Sequence, residues 1–303
     1  MPIRSVGPGT HFKGPLLGAP KGPFAGTSVG LTSRFRGPYR EHLELFESIL
    51  SEADLAACGW TQSDNGTTGT ATIARSGAQG GMIMNPGTTA DTGISIQNNV
   101  IPAETKVSRT TLSVGPVVST TTLMDNRELI WATRVGFLQG TGTAWTNKAV
   151  LGWAVTDTAL MTPTTGVLAV TTGGGAFFHI TEAGQLNAVV QGTTVATSAD
   201  TGIDIGTLST AFGNFLDLAI RIRWVDASAG TGVAEFYVNG TRTNVVNGAT
   251  TALPMQSTQT YSSTFEILNG PTTSPAVDML VEYLYTGITR AGLTYPYTSG
   301  LNL

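Results

Sequence analysis

Two near-copies of one heptapeptide carry the most suggestive chemistry in the chain. Ala90–Ile96 reads ADTGISI, and Ala199–Ile205 reads ADTGIDI. Asp-Thr-Gly occurring twice could supply two carboxylates that share a proton and activate a water. The flanks argue against that reading. Such a site wants bulky apolar residues before Asp and a hydroxyl residue after Gly. Here Ala precedes each Asp, and Ile94 or Ile203 follows each Gly. A turn explains both copies: Asp bonds its own backbone, Gly takes the left-handed conformation and Ile starts a strand. Asp200 and Asp204 could touch Ca²⁺, but two carboxylates four residues apart supply too few ligands.

The remaining candidates are scattered. The three histidines, His11, His42 and His179, have no second His or Cys at metal-ligand spacing. His179, in AFFHIT, reads as an ordinary strand residue. Gly173-Gly174-Gly175 lacks the Lys-Ser/Thr of a phosphate loop, and no Ser sits in a Gly-x-Ser-x-Gly elbow. Cys58 is the single cysteine, so no internal disulfide forms, and a buried thiol is expected. Asp217, Glu235 and Glu282 could converge from separate strands as an acid–base pair for glycoside hydrolysis. Their alternation with apolar neighbours predicts outward display instead. Of the five tryptophans, Trp131 and Trp224 fall in strand patterns and are expected in the core. Trp145, in TGTAWTNK, is the one expected to be exposed and is the candidate glycan contact. The expectation is a non-enzymatic protein with no cofactor and no metal.

The elements that would position these groups are mostly strands. The chain is 303 residues long, 41% hydrophobic and only 12% charged, with 38 Gly. That is enough apolar material for one large β-domain or two smaller ones. In FLDLAIRIRWVD, Leu216, Leu218, Ile220, Ile222 and Trp224 share one face, while Asp217, Arg221 and Arg223 share the other. Asn239-Gly240 after VAEFYV marks a tight hairpin, and TRTNVV returns. Further strands are ELIWATRVGF, KAVLGWAV, GAFFHIT, LNAVVQG, FEILNG and VDMLVEYLYTGI. No helix of crossover length separates them. The architecture predicted is all-β: a two-layer antiparallel jelly-roll-like sandwich, preceded by an extended arm and one short helix. Residues 1–40 form the arm, 41–59 the amphipathic helix (Leu43, Phe46, Ile49 and Leu50 on one face, Gly59 as the stop) and 60–303 the sandwich.

The arm repeats Lys13-Gly14-Pro15, Lys21-Gly22-Pro23 and Arg36-Gly37-Pro38, which no ordinary helix accommodates. It carries six basic residues and no acidic one. The other 263 residues carry ten basic and twenty acidic ones, a net −10. Extended, forty residues reach on the order of 130 Å. Arg4, Lys13, Lys21, Arg34, Arg36 and Arg40 are the candidate charge contacts with a partner, and Phe12, Phe24, Phe35 and Tyr39 the apolar anchors. Six charges among so many apolar residues are a weak footprint for nucleic acid. No stretch is long and apolar enough for a membrane span, and Pro, Gly and Lys interrupt any signal-peptide core.

The order GGMIMNPGTTADTGISIQ, LIWATRVGF, VLGWAVTD, GAFFHI, DLAIRIRW, AEFYVNGTR and DMLVEYLYT resembles the concanavalin A/laminin-G-like sandwiches of tailed-phage structural proteins. The resemblance covers roughly residues 60–290 and rests on structural motifs: Leu218 to Ile222, then Tyr237-Val238-Asn239-Gly240, then a last strand from Asp278 to Tyr285. It implies a bacteriophage virion protein. Taken with the arm, it suggests a capsid decoration or cement protein that clamps the major capsid protein or other virion subunits. Such a protein would be a homo-oligomer, with a trimer as the first expectation. It would be made in the host cytoplasm and sit on the outer capsid surface. The alternative is a carbohydrate-binding head-fibre or tail module in which the sandwich recognises a host surface.

Overall fold

In the computed structural model the described residues are 40–46, 51–65, 71–76, 80–98, 106–108, 128–138, 145–155, 160–161, 174–192, 196–205, 215–226, 231–247, 260–271 and 277–288. The arm residues Arg4, Phe12, Lys13, Lys21, Phe24, Arg34, Phe35, Arg36 and Tyr39 lie outside them.

Among the described residues, sixteen strands and one helix follow in chain order: β1 (Arg40–Leu45), α1 (Glu52–Ala57), β2 (Trp60–Asn65), β3 (Thr72–Arg75), β4 (Met82–Asn85), β5 (Gly93–Asn98), β6 (Lys106–Ser108), β7 (Glu128–Leu138), β8 (Lys148–Val155), β9 (Gly175–Ile180), β10 (Gln185–Gln191), β11 (Ala196–Asp204), β12 (Leu216–Asp226), β13 (Thr231–Val238), β14 (Thr241–Asn247), β15 (Thr260–Leu268) and β16 (Asp278–Ile288). They form two sheets. Sheet A runs β14-β13-β12-β7-β16-β4-β3, with β1 also paired to β16. Sheet B runs β11-β10-β9-β8-β15-β5-β2, with β6 also paired to β15. Every pairing among the described residues is antiparallel, as hairpin-rich sequences without crossover helices require. The predicted two-layer sandwich is the fold.

The inward faces follow the period-two pattern. Leu218, Ile220 and Ile222 of β12, Trp131 and Val135 of β7, and Phe236 of β13 meet Leu151 and Trp153 of β8, Phe178 of β9, and Phe265 and Ile267 of β15. Aromatic contacts cross the interlayer: Trp131 to Phe265 at 5.6 Å, and Phe178 edge-on to Phe236 at 5.3 Å between centroids. On the far side of sheet B, β8 and β9 approach so closely at Gly152 that a Cβ would lie 2.6 Å from the Phe177 Cα. Asn239 and Gly240 both take positive φ, 51° and 78°, closing the predicted hairpin.

The expected helix over 41–59 is corrected. Arg40–Leu45 is a strand, and the helix is confined to Glu52–Ala57. Leu43 and Leu45 also alternate at period two. Met279–Val281 of β16 pair with β4, and the following Tyr283–Ile288 pair with Leu45–Arg40. An unpaired stretch of a central strand would leave a row of backbone groups without partners, and β1 fills it. Ser51 starts α1 by accepting the Asp54 N–H, and Gly59, at φ 85°, ends it. Phe46, between the two elements, is buried edge-on against Trp60 and Phe265. Cys58, expected to be buried, is exposed at the helix C-cap, because the one buried residue of this short helix is Leu55.

Candidate functional site

The three carboxylates singled out in the sequence all lie on the outer face of sheet A. The register puts Asp217 of β12 opposite Arg134 of β7, and Arg134 opposite Tyr283 of β16. Glu282 stands at the irregularity in β16 between Val281 and Tyr283. One guanidinium serves both acids: Arg134 Nε is 3.8 Å from Asp217 and 3.6 Å from Glu282. The same guanidinium lies 4.8 Å above the Phe215 ring. The cluster therefore offers two carboxylates, one guanidinium, a half-buried phenyl ring and a tyrosine.

Burial governs its electrostatics. It raises the Asp217 carboxyl above its ordinary value, and Arg134 partly offsets that. Glu282 is raised mainly by burial; Arg134 pulls it down while the Asp217 charge pushes it up. Burial, then the charge of Asp217, drives the Tyr283 phenol upward as well. These directions hold the tyrosine as a neutral donor and make both acids easier to protonate.

A second charged group lies four residues further along β12, at Arg221. Glu235 of β13 is opposite Arg221 of β12. Its oxygens accept from Arg221 at 3.2 Å, from Arg242 of β14 at 3.0 Å and from the Tyr237 hydroxyl at 3.2 Å. Between the two charged groups runs a row with Tyr237 opposite Ala219, Ala219 opposite Ala132, and Ala132 opposite Tyr285. Ile130, Ala132, Ala219, Tyr237, Tyr283 and Tyr285 pack as one buried cluster. Ala132 and Ala219 stand between the tyrosines, so a row of buried tyrosines and small residues separates the two ionic groups.

The outward display predicted for Asp217, Glu235 and Glu282 is what the strands give. The arginines facing them were not singled out as their partners. Arg221 stood out by its phase, but Arg134 and Arg242 become partners only through strand register, which one strand's periodicity does not contain.

The two Asp-Thr-Gly copies are not one site. Asp91 precedes β5, whereas Asp200 lies within β11 at the edge of sheet B. Four strands separate β5 from β11, so at ~4.8 Å per strand the copies are about 24 Å apart across the sheet. They also use the motif differently. In the first copy Asp91 itself takes positive φ, 55°, and Gly93 opens β5. In the second, Gly202 takes positive φ at a bulge opposite Leu186 and Asn187, and its N–H donates to Asp200 Oδ1 at 2.8 Å. The Thr201 hydroxyl donates to the Leu186 carbonyl at 2.7 Å. Among the described residues no three metal-ligating side chains converge.

Trp145, expected to be exposed, is 6% exposed. It packs edge-on against Phe137 at 5.4 Å, and its indole N–H donates to the Thr181 carbonyl at 2.9 Å. Its loop-like surroundings hide a core residue that pins the β9–β10 turn, and no stacking platform is left there. Trp131 is buried as expected. The side chain of Trp224 is outside the described residues, and Arg40 enters only through its backbone, opposite Ile288.

No protein-family model matches the sequence, and no curated protein sequence matches it. Among solved structures, an endo-1,3-beta-glucanase from Streptomyces sioyaensis superposes with TM-score 0.50 at 12% identity, over 82% of this chain and 96% of that one. Arcelin-5, a lectin-like defense protein from Phaseolus vulgaris, gives TM-score 0.49 at 10% identity, over 84% and 100%. A carbohydrate esterase from the Shiga toxin-encoding bacteriophage phi24B gives 0.42 at 16%, over 82% and 100%. At such identities the likeness is one of fold alone: the chain has a two-layer antiparallel β-sandwich, as the glucanase superposition supports.

Proposed function

We propose that this chain is a non-enzymatic carbohydrate-binding sandwich that receives a saccharide on the outer face of sheet A. One observation carries the reading: Asp217, Arg134 and Glu282 stand together, partly exposed, on three neighbouring strands beside Phe215 and Tyr283. Carboxylates accept hydrogen bonds from vicinal hydroxyls, a guanidinium donates to ring and hydroxyl oxygens, and an aromatic ring takes the C–H face of a sugar. Two acids to one base give the cluster a negative balance, which favours neutral sugars over acidic ones. Each acid rests against Arg134, an arrangement suited to recognition rather than to proton transfer at a scissile bond. Glycan-array binding of the intact protein tests this. Asp217→Asn with Glu282→Gln should lower affinity at least about tenfold, the loss of two charge-assisted bonds, without changing the thermal midpoint by more than a few degrees. Unchanged glycan binding by that variant would overturn the reading.

A second reading has its own observation. Arg40, the last residue of the basic arm, is paired with Ile288 at the end of a central strand of sheet A. A partner holding the chain next to Arg40 would therefore load β1 and the sandwich directly. This suits a virion decoration or cement protein on the outer capsid surface, oligomeric and anchored through the arm to the major capsid protein. Replacing Phe12, Phe24, Phe35 and Tyr39 with Ala should then leave the sandwich folded and abolish co-sedimentation with capsids. Wild-type occupancy by that variant would exclude the arm as the anchor.

A further inference from the structure

The outer face of sheet B contains a cation that its surroundings leave underserved. Lys148 of β8 is 2% exposed, and its Nζ makes no hydrogen bond. Among the described residues the ammonium's counter-charge is Glu182, 3.5 Å away, whose side chain is about half exposed on the β9–β10 turn. His179 of β9 points to the same side. Its register partner Val150 and Lys148 are two apart on β8, hence on one face, which makes Lys148 and His179 diagonal neighbours. His179 Nε2 is buried and also without a hydrogen-bond partner. An ammonium with three N–H groups and an imidazole nitrogen, both shut away from bulk water, are costly to leave unmet.

Among the described residues, the polar groups next to this pair on β15 and β10 are committed or uncharged, and the charged Asp200 lies a strand further away, opposite Asn187. Beyond Val150, on β15, lies Glu266, fully buried; its oxygens accept from Asn65 Nδ2 and from the Leu160 N–H. Opposite His179 on β10 is the neutral Asn187. Among the described residues Glu182 is thus the charged group within ion-pair distance of Lys148, and its side chain is about half in solvent. The turn bearing it is fixed from below: Gly184 N–H donates to the Thr181 carbonyl at 2.9 Å, and Trp145 donates to the same carbonyl.

We propose that Lys148 Nζ and His179 Nε2 form a binding site for a small oxyanion, with Glu182 as the resident counter-ion that the oxyanion displaces. The oxyanion contributes the acceptor oxygens both nitrogens lack, and it selects the tautomer that carries the proton on Nε2. The site is far from the Arg134 cluster, on the opposite layer, and does not depend on saccharide binding there.

The test uses the full-length protein and the ring signals of His179 by NMR, with sodium chloride, sodium sulfate or sodium trifluoroacetate at one ionic strength. In chloride, His179 is expected to titrate at about 4, held down by burial and then by the Lys148 charge. Bound sulfate or trifluoroacetate should raise that midpoint by about one unit or more, and the stronger of the two reports whether the site prefers a tetrahedral or a planar oxyanion. Lys148→Met should abolish the response. Glu182→Gln removes the competitor at a half-exposed turn position and should tighten oxyanion binding about tenfold; it also keeps the test open should Lys148→Met fail to fold. If neither oxyanion moves His179 relative to chloride, or if Glu182→Gln leaves the affinity unchanged, the site does not exist.

Discussion

The two outer faces of this sandwich solve the problem of charge on a β-sheet in opposite ways. On sheet A Asp217, Glu282 and Glu235 each meet a guanidinium across a strand boundary, and all but the nearly buried Arg221 keep part of their surface in water. On sheet B a fully buried Glu266 and a nearly buried Lys148 stand on adjacent strands yet do not pair; each is met by a different group. The sheet A face is therefore tolerant: its ion pairs are partly screened, and losing one leaves neighbours that water can serve. The sheet B face is brittle, since a group removed there strands its partner away from water. The first arrangement suits a broad surface that exchanges its pairs for the hydroxyls of a saccharide, and the second suits a single enclosed site that one small ion completes.

The largest effect that would break this contrast is at Glu266. Glu266→Ala strands the Asn65 amide and the Leu160 N–H, and Asn65 also holds the Met161 carbonyl at 3.1 Å. Loss of about 3–5 kcal/mol is expected, read as a large fall in denaturant midpoint. A loss below about 1 kcal/mol would mean the segment at 160–161 is held by its apolar contacts alone.

Acid titration separates the faces next, because the signs oppose. The His179 pKa is lowered on folding, from 6.5 to about 4. The unfolded chain takes up that proton first, so stability falls as pH drops from about 6.5 to about 4, by up to about 3 kcal/mol. His179→Phe should flatten that limb. Asp217 and Glu282 are raised on folding. There the folded state takes up the proton first, and the contribution of each acid to stability rises as pH falls through its folded pKa. Asp217→Asn should remove part of that gain while leaving the His179 limb intact. One curve unchanged by both variants would erase the distinction.

The same contrast explains what was legible in the sequence. The strands of sheet A announced themselves: the alternation of Leu218, Ile220 and Ile222 against Asp217 and Arg221, and the Asn239-Gly240 turn, follow from a face in water and a face in the core. β8, on sheet B, is buried along its whole length, and KAVLGWAV accordingly lacks a clean alternation. It was recognisable as a strand, but its buried lysine was not recognisable as a site. Trp145 was misjudged for a related reason: TGTAWTNK has loop composition, and only the fold brings Phe137 and Thr181 against the indole. Arg40–Leu45 reads either way, because Leu43 stands two residues from Leu45 and three from Phe46, and the strand is selected by a gap beside β16, more than 200 residues away. Faces were readable; partners across strands were not, since register is a property of the assembled sheet.

The smallest effect sharpens the tolerant side. Arg242 is about one-third exposed and shares Glu235 with the nearly buried Arg221. Arg242→Ala leaves Glu235 its contacts with Arg221 and the Tyr237 hydroxyl, so the expected cost is below about 1 kcal/mol, and smaller still in high salt. A double-mutant cycle with Glu235→Gln measures the coupling directly. A coupling of several kcal/mol would mean that the Glu235 group is as closed to water as Lys148, and that the outer face of sheet A is a second rigid layer rather than a surface open to a ligand. Near-zero coupling, together with intact folding, leaves the paired arginines and carboxylates available to exchange one another for the hydroxyls of a sugar.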